Sequence, residues 1–520
     1  MTCQFFRALG GLVFLVLAAT ASVAVAGVSL VAPAHAQEPA LRGGTLRVAI
    51  LNDMTNFDPQ QFSAVNFHLI KNLYDSLIEY TPEGEAVPSL ATAWQIAPDN
   101  QSVRVTLRDD VSFASGAKLT SADVAATLAK AADPGRGKNV YATMSIVTNW
   151  TTPDDRTIVI HFKAPAPQRQ ITDLLQFTMP IEAAGIASVE TVPAGTGAYM
   201  LDSRAVGQGL RLRTNPHYWR QGQPVTEAVD FTIFSDDVSA SAALESDAVD
   251  IIYGSSARSA VRLQDVGYQV LRGPGPLVQV FRINSTRAPF TNPSFRQAFN
   301  YLMDREGMLR VGYAGLGEVA ALPWAPASPA FDATYADEFA YNLDKAKELL
   351  AASGLTPAEQ SDWKMLVGGD DEPTIVVSQI LQSALAEVGI NIELDILQGA
   401  EYTEALLAGD FDATFGAVGN VQKFPSRVAT NSIYRVVNNP VLKDPHPHPD
   451  YVAAIERVNT TSDPAEVKAA YDNLNRVLVT DAFAIPTNSY DTGLIVASPR
   501  VGGLALDIDN LFVARMAGFQ

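Results

Sequence analysis

After residue 36 this 520-residue chain carries five histidines, His68, His161, His217, His446 and His448, and only His446-Pro447-His448 is clustered. Two imidazoles on one loop could chelate a soft cation, but a proline-rich loop accounts for the trio without a ligand. Acids gather at Asp236-Asp237 and at Asp370-Asp371-Glu372. Carboxylate oxygens suit calcium, yet neither cluster has the spaced ligands and glycine of an EF-hand loop, and solvated loop charge is the simpler reading. Gly135-Arg136-Gly137-Lys138-Asn139 hints at a phosphate loop. It lacks the four-residue gap and the Ser/Thr after lysine that would hold magnesium, so it reads as a surface turn. No G-x-S-x-G announces a nucleophilic serine, and no H-E-x-x-H places two imidazoles on one helical face. The chemistry these types and spacings point to is binding, and no cofactor or resident metal is expected.

Asp plus Glu number 56 against 37 Lys plus Arg, a formal net charge of -19. Such a field repels phosphate backbones and anionic membranes, so nucleic acid is excluded as a partner. Hydrophobic residues at 47% and charged residues at 18% place the chain among globular proteins, and its length calls for two or more lobes. Arg7 precedes an apolar run from Ala8 to Ala32, and Ala34-His35-Ala36 then has the small-x-small form of a cleavage site. An uncleaved anchor is the alternative; the polar, proline-containing stretch that follows favours cleavage after Ala36. The single cysteine, Cys3, precedes the apolar run, whereas a lipid-attachment cysteine would follow it. The mature chain then has no thiol, which excludes disulfides and thiolate metal sites. A large, acidic, unlipidated exported protein points to the periplasm.

The elements that must position any binding residues are legible in the patterning. Thr45 to Leu51 alternates as a strand, and Phe67, Ile70, Leu73, Tyr74, Leu77 and Ile78 make one apolar helical face. Val103, Val105, Leu107 and Ile158, Ile160, Phe162 have period-two alternation, and between them Thr120 to Asp123 fits a capping box. Further on, Trp363 to Val367, Pro373 to Val388, Ile390 to Leu397, Glu401 to Leu407 and Phe411 to Val418 read as β-α-β-α-β, which implies parallel pairing in a second α/β lobe. Asn292-Pro293 and Asp463-Pro464 open flanking helices. Two extended stretches, Pro276 to Asn284 and Phe483 to Ser489, enter and leave this lobe, and two crossings make a hinge.

Short stretches in order along the chain resemble the extracellular solute-binding protein family 5 of ABC importers, the dipeptide, oligopeptide and nickel-binding group. They are Gly43-Gly44-Thr45-Leu46, Phe57-Asp58-Pro59, Tyr74-Asp75-Ser76-Leu77, Pro88-Ser89-Leu90-Ala91 with Trp94, and Phe113 to Val124. Gly195-Thr196-Gly197-Ala198-Tyr199, Asn215 to Trp219, Phe295 to Glu306 and Tyr341 to Gly354 complete the set. Read from the residues themselves, most are structural: Gly195 and Gly197 supply turns, Trp94 and Trp219 fill cores, Thr120 and Asp123 cap a helix.

The resemblance implies an α/β, two-lobed periplasmic binding protein fold of class II type with an extra subdomain in the N-terminal lobe. The expected division is a signal peptide at 1–36, lobe I at 37–78, 195–282 and 486–520, the inserted subdomain at 79–194, and lobe II at 283–485. It implies a monomer that closes on a small solute, peptide-like or another organic molecule, and hands it unaltered to an inner-membrane permease with ATPase subunits. Peptide binders of the family often carry an aromatic-acidic segment after the last strand named above; here that stretch is Gly419 to Arg427, with cations in place of carboxylates. A buried ammonium without an anionic partner is costly, which argues against an ordinary free-amine peptide; Lys423 and Arg427 suit a carboxylate or phosphate instead, with Asn420 beside them and Phe424 as an apolar or stacking wall. By position among the motifs, Asn66, Phe67, Lys138 and Tyr141 resemble cleft-facing positions. The competing readings are a periplasmic hydrolase on a similar scaffold and a sensor or chaperone partner that does not transport.

Overall fold

A computed structural model describes residues 41–520 except 42, 55, 62–66, 82–84, 134, 137–139, 274–276, 325–327, 420–424, 437–438, 443–445, 462, 491–493 and 508–510. The expected signal segment lies outside the described residues.

Strand β1 (Thr45–Ile50) sends Leu46, Val48 and Ile50 into one core and Ala49 into another, because successive strand side chains point to opposite faces. Helix α1 (Phe67–Leu73) follows. The helical periodicity runs on to Ile78, but the helix stops at Leu73. Its carbonyl accepts the Gly197 amide at 3.0 Å, and four residues later Leu77 donates to Thr178 and accepts from Ala91. Backbone groups taken by distant partners cannot also close helical turns.

The subdomain is a four-stranded antiparallel sheet of β2 (Ala91–Ile96), β3 (Ser102–Leu107), β4 (Val147–Asp154) and β5 (Thr157–Phe162), in the order β2-β3-β5-β4. Val103 faces Ile160 and Val105 faces Ile158, the alternation read from the sequence. Helix α2 (Ser121–Ala131) is capped at Thr120, whose amide and hydroxyl donate to the Asp123 carboxylate at 2.9 and 2.8 Å. At its other end the buried Lys130 ammonium pairs with the buried Asp58 carboxylate of the Phe57-Asp58-Pro59 turn, fastening the subdomain to the first core.

The chain returns through β6 (Tyr199–Ala205), β7 (Gly209–Thr214), β8 (Ala228–Ile233), α3 (Asp237–Glu245), β9 (Ile251–Ser255), α4 (Ala257–Asp265) and β10 (Gln269–Leu271). The motif residues meet here. A Cβ on Gly197 would lie 2.3 Å from the Leu73 carbonyl carbon, so only glycine permits this approach. Asp75, 5% exposed, accepts from Trp219 Nε1 at 3.0 Å, Thr196 Oγ1 at 3.1 Å and Tyr218 Oη at 3.3 Å. Burial pushes its carboxyl above the ordinary range, and the nearby Glu79 charge adds to that. Asn215 donates to the Gly197 carbonyl at 2.8 Å. These stretches thus lock the junction of lobe I and subdomain, in keeping with their structural reading.

Lobe II comprises β11 (Leu277–Ile283), α5 (Pro293–Leu302), β12 (Glu318–Val319), β13 (Lys364–Gly368), α6 (Glu372–Glu387), β14 (Glu393–Leu397), α7 (Gly399–Ala408), β15 (Ala413–Gly419), α8 (Pro449–Thr460), α9 (Pro464–Asp481) and β16 (Ala484–Tyr490). β17 (Leu494–Ala497) then rejoins lobe I. Asn292 caps α5 by accepting from the Phe295 amide, and Gly409, at φ 70°, ends α7 in the left-handed region. β13 is parallel to β14 and β15, the pairing that the β-α-β-α-β pattern predicts. The large sheets have the orders β10-β17-β9-β1-β8-β7-β6 and β12-β16-β11-β15-β13-β14. Each is packed on both faces, against two separate cores, so the fold is α/β with two lobes joined by two crossings.

Candidate functional site at the facing strand ends

In lobe I, β1 is parallel to β8 and β9, so these strands end together at Ile50, Ile233 and Ser255. β17 begins beside Ser255, and β10 ends at Leu271, level with Ile495 and hence with Tyr253. Both crossings therefore leave lobe I at the carboxyl end of its parallel strands. They reach lobe II where Leu277 pairs with both Gly419 and Tyr490, the carboxyl end of β15. Four residue steps separate Tyr490 from Leu494, a reach of about 14 Å at most. The carboxyl ends of both parallel sets are thus tethered face to face, and in open α/β sheets ligands bind outside those ends.

The two acidic clusters sit at these ends and are occupied locally. Asp236 caps α3, and the Ser239 amide and Ser235 hydroxyl hold its carboxyl below the ordinary range. Asp237 accepts from the Ser255 and Ser256 hydroxyls at 3.1 and 2.6 Å. Asp370 takes the Gly399 amide at 2.8 Å and Asp371 the Thr374 hydroxyl at 2.7 Å. Glu372, first residue of α6, pairs at 3.3 Å with Arg258 of α4, an ion pair joining the lobes. Asp53, just past β1, pairs with Arg204 at 3.4 Å. The carboxylates here serve turns, caps and lobe contact, so they do not by themselves make a cation site. Among the described residues no group of three or more His, Cys, Asp or Glu could hold a metal ion.

Of the sequence-predicted contacts, Asn66, Lys138, Asn420, Lys423 and Phe424 lie outside the described residues. Tyr141 and Arg427 are placed by backbone alone, at the start of the helix Tyr141–Met144 and within the 3-10 helix Pro425–Thr430. Phe67 is 6% exposed in the lobe I core; its ring stacks on Phe177, and the Lys71 ammonium lies 5.5 Å from its centroid. Nearly all of its surface is spent on packing.

The His446-Pro447-His448 trio is packed at the opposite end of lobe II. The His448 ring stacks on Phe483 at 4.7 Å, and burial, then the neighbouring His448, pushes His446 below its ordinary value. The fold adds an arrangement no local motif announces: Ser285 Oγ lies 2.8 Å from His448 Nε2, and His448 Nδ1 lies 3.5 Å from an Asp481 carboxylate oxygen. The order is that of a nucleophile, base and orienting acid. Ser285 at 6% and His448 at 4% exposure leave no approach for a substrate carbonyl, and the trio ties β11, α8 and α9 together.

The comparisons agree with this geometry. The model of bacterial extracellular solute-binding proteins, family 5 Middle, matches residues 85–434. The chain is similar to the glutathione-binding protein GsiB of Salmonella typhi, 23% identical over 372 residues, 70% of this chain and 71% of that one. A putative ABC transporter peptide-binding protein of Brucella ovis is 24% identical over 421 residues, 77% of this chain and 79% of that one. Among solved structures, the binding protein AgaA from A. tumefaciens R10, in complex with agropinic acid, superposes with a TM-score of 0.76 at 22% identity, covering 92% of this chain and 99% of that one. Motif network, two-lobe architecture and a family match over most of the chain converge: this protein belongs to the bacterial extracellular solute-binding proteins of family 5.

Proposed function

We propose that the chain is exported through a cleaved segment at 1–36 and works in the periplasm as a monomer. It captures a small organic solute between its lobes and delivers it to an inner-membrane ABC permease with ATPase subunits. The observation that carries this reading is the tethering of both sets of parallel strand ends face to face by two short crossings. The relatives named for glutathione and for peptides support a solute of that size. Lobe I is assigned to 37–78, 195–282 and 486–520, the subdomain to 79–194 and lobe II to 283–485. Asn66, Phe67, Lys138 and Tyr141 on one side, and Asn420, Lys423, Phe424 and Arg427 on the other, are the assigned ligand contacts. The two cations, with the acids at the strand ends already occupied, favour a solute that carries a carboxylate. Closure follows from differential binding: a solute touching both lobes stabilises the closed state only as far as it binds that state more tightly.

The test is mass spectrometry of the solute that co-purifies from periplasm, followed by calorimetry with that solute and with free-amine and acidic panels. Stoichiometric binding, recovery of the solute intact and loss of its uptake in a deletion strain are expected. Turnover of the solute, or a binder whose uptake ignores the deletion, overturns the reading.

A further inference from the structure

Lobe II carries a second recess, none of whose lining residues is among the assigned ligand contacts. It lies between α8 and the turn after the 3-10 helix Pro425–Thr430 and holds about 500 Å³. Its apolar wall is Val436, Val452 and Ile455, and its polar groups are Arg435, Asn459 and, at an exposed position, Glu456. The Arg435 Nε and the Asn459 Oδ1 are shielded from solvent and have no hydrogen-bond partner. A second guanidinium, Arg282, 3% exposed, lies within reach of the Arg435 charge. Its Nη2 reaches only the Ser432 carbonyl and Asn439 Oδ1, at 3.4 and 3.3 Å, and its Nε is unpartnered. Burial, and then the charge of Arg435, pushes Arg282 down to about 10. Among the described residues neither guanidinium has a carboxylate ion partner. A buried cation beside a half-buried one, neither with an anion, is unfavourable, and an entering anion offsets both charges.

We infer that this recess is a second ligand pocket, taking a small organic carboxylate with an apolar body: the carboxylate on Arg435 and the Asn459 amide, the body against Val436, Val452 and Ile455. Guanidinium geometry suits a carboxylate, and the apolar wall separates such a molecule from a bare inorganic ion. Glu456 limits the charge the pocket tolerates, which favours a monoanion over a dianion.

Fluorine NMR of the full mature protein with 4-fluorobenzoate tests this, with 4-fluorobenzylamine and fluoride as controls. Saturable binding of the benzoate below about 10 mM is expected, weakened by salt, with the amine and fluoride at least about tenfold weaker. Arg435→Gln should weaken the benzoate about tenfold or more, the worth of one charge-assisted hydrogen bond. Val452→Trp, which fills the recess and leaves Arg435 in place, should abolish the same signal. Each variant is compared at an unchanged melting temperature. No saturable binding, equal binding of the amine, or indifference to both substitutions overturns the pocket. None of those outcomes touches the inter-lobe reading, which is judged by the co-purifying solute.

Discussion

Asp250 offers a sharp test of what holds lobe I together. Its side chain is fully buried, and it accepts from the Arg47 amide at 3.0 Å, from Arg47 Nε at 2.9 Å and Nη2 at 2.8 Å, and from Arg500 Nη2 at 2.7 Å. Arg47 is on β1, Asp250 precedes β9, and Arg500 lies past β17, so one carboxylate joins the first segment of the lobe to its last. Burial works to raise its pKa, but the bonds from Arg47 and Arg500 prevail and hold the carboxyl below the ordinary range. Breaking a buried pair by removing one partner costs about 3–5 kcal/mol. The arginine side chains are 41% and 39% exposed and can rehydrate, so Asp250→Ala should lose about 3 kcal/mol, the low end. A carboxyl with a lowered folded value contributes stability that is fully present above its unfolded value, about 3.9, and is lost as pH falls through the folded one. The gap between parent and variant should therefore be level from about pH 5 to 8 and narrow below about pH 4. Urea unfolding across that range reads it, with equal m-values confirming that the same transition is compared. A loss under about 1 kcal/mol at neutral pH, or a gap that widens on acidification, refutes the reasoning.

Other expectations follow from equally local geometry. Gly197→Ala drives a Cβ to 2.3 Å from Leu73 and should destabilise by at least about 1–3 kcal/mol, read by chemical denaturation; a neutral result would mean that the junction yields. The Arg258–Glu372 pair is about three-quarters exposed on each side, so at low salt it should favour the lobe arrangement that contains it by about 0.5 kcal/mol, a twofold effect on populations. Inter-lobe fluorescence transfer should show Glu372→Arg shifting the distribution, Arg258→Glu/Glu372→Arg restoring it and high salt erasing the difference; a double reversal that restores nothing removes the pair from closure. Ser285→Ala should cost about 1–3 kcal/mol by leaving His448 Nε2 unpartnered, with hydrolysis of a nitrophenyl ester unchanged. A fall in ester turnover in that variant would instead assign chemistry to the trio.

What the sequence determined by itself is what neighbouring residues decide together. The caps at Asn292 and Thr120, the left-handed stop at Gly409 and the β-α-β-α-β run ending in β15 were legible, because capping and periodicity act over three or four residues. So were the hydrophobic alternation of β3 and β5 and the two extended stretches that became β11 and β16. The end of α1 was not, since apolar spacing continues past Leu73 and only the arrival of Gly197 claims the carbonyl that would have continued the helix. Nor could spacing reveal that Asp75 collects Thr196, Tyr218 and Trp219, that Ser285 finds His448, or that the acids at 236 and 370 end on facing strand ends and are consumed there by caps and turns. Each of those outcomes depends on which strands pair and in what register, and that is set by burying two sheets on both faces at once. A hydrogen bond or ion pair between residues a hundred positions apart exists only after that packing has brought its two ends together.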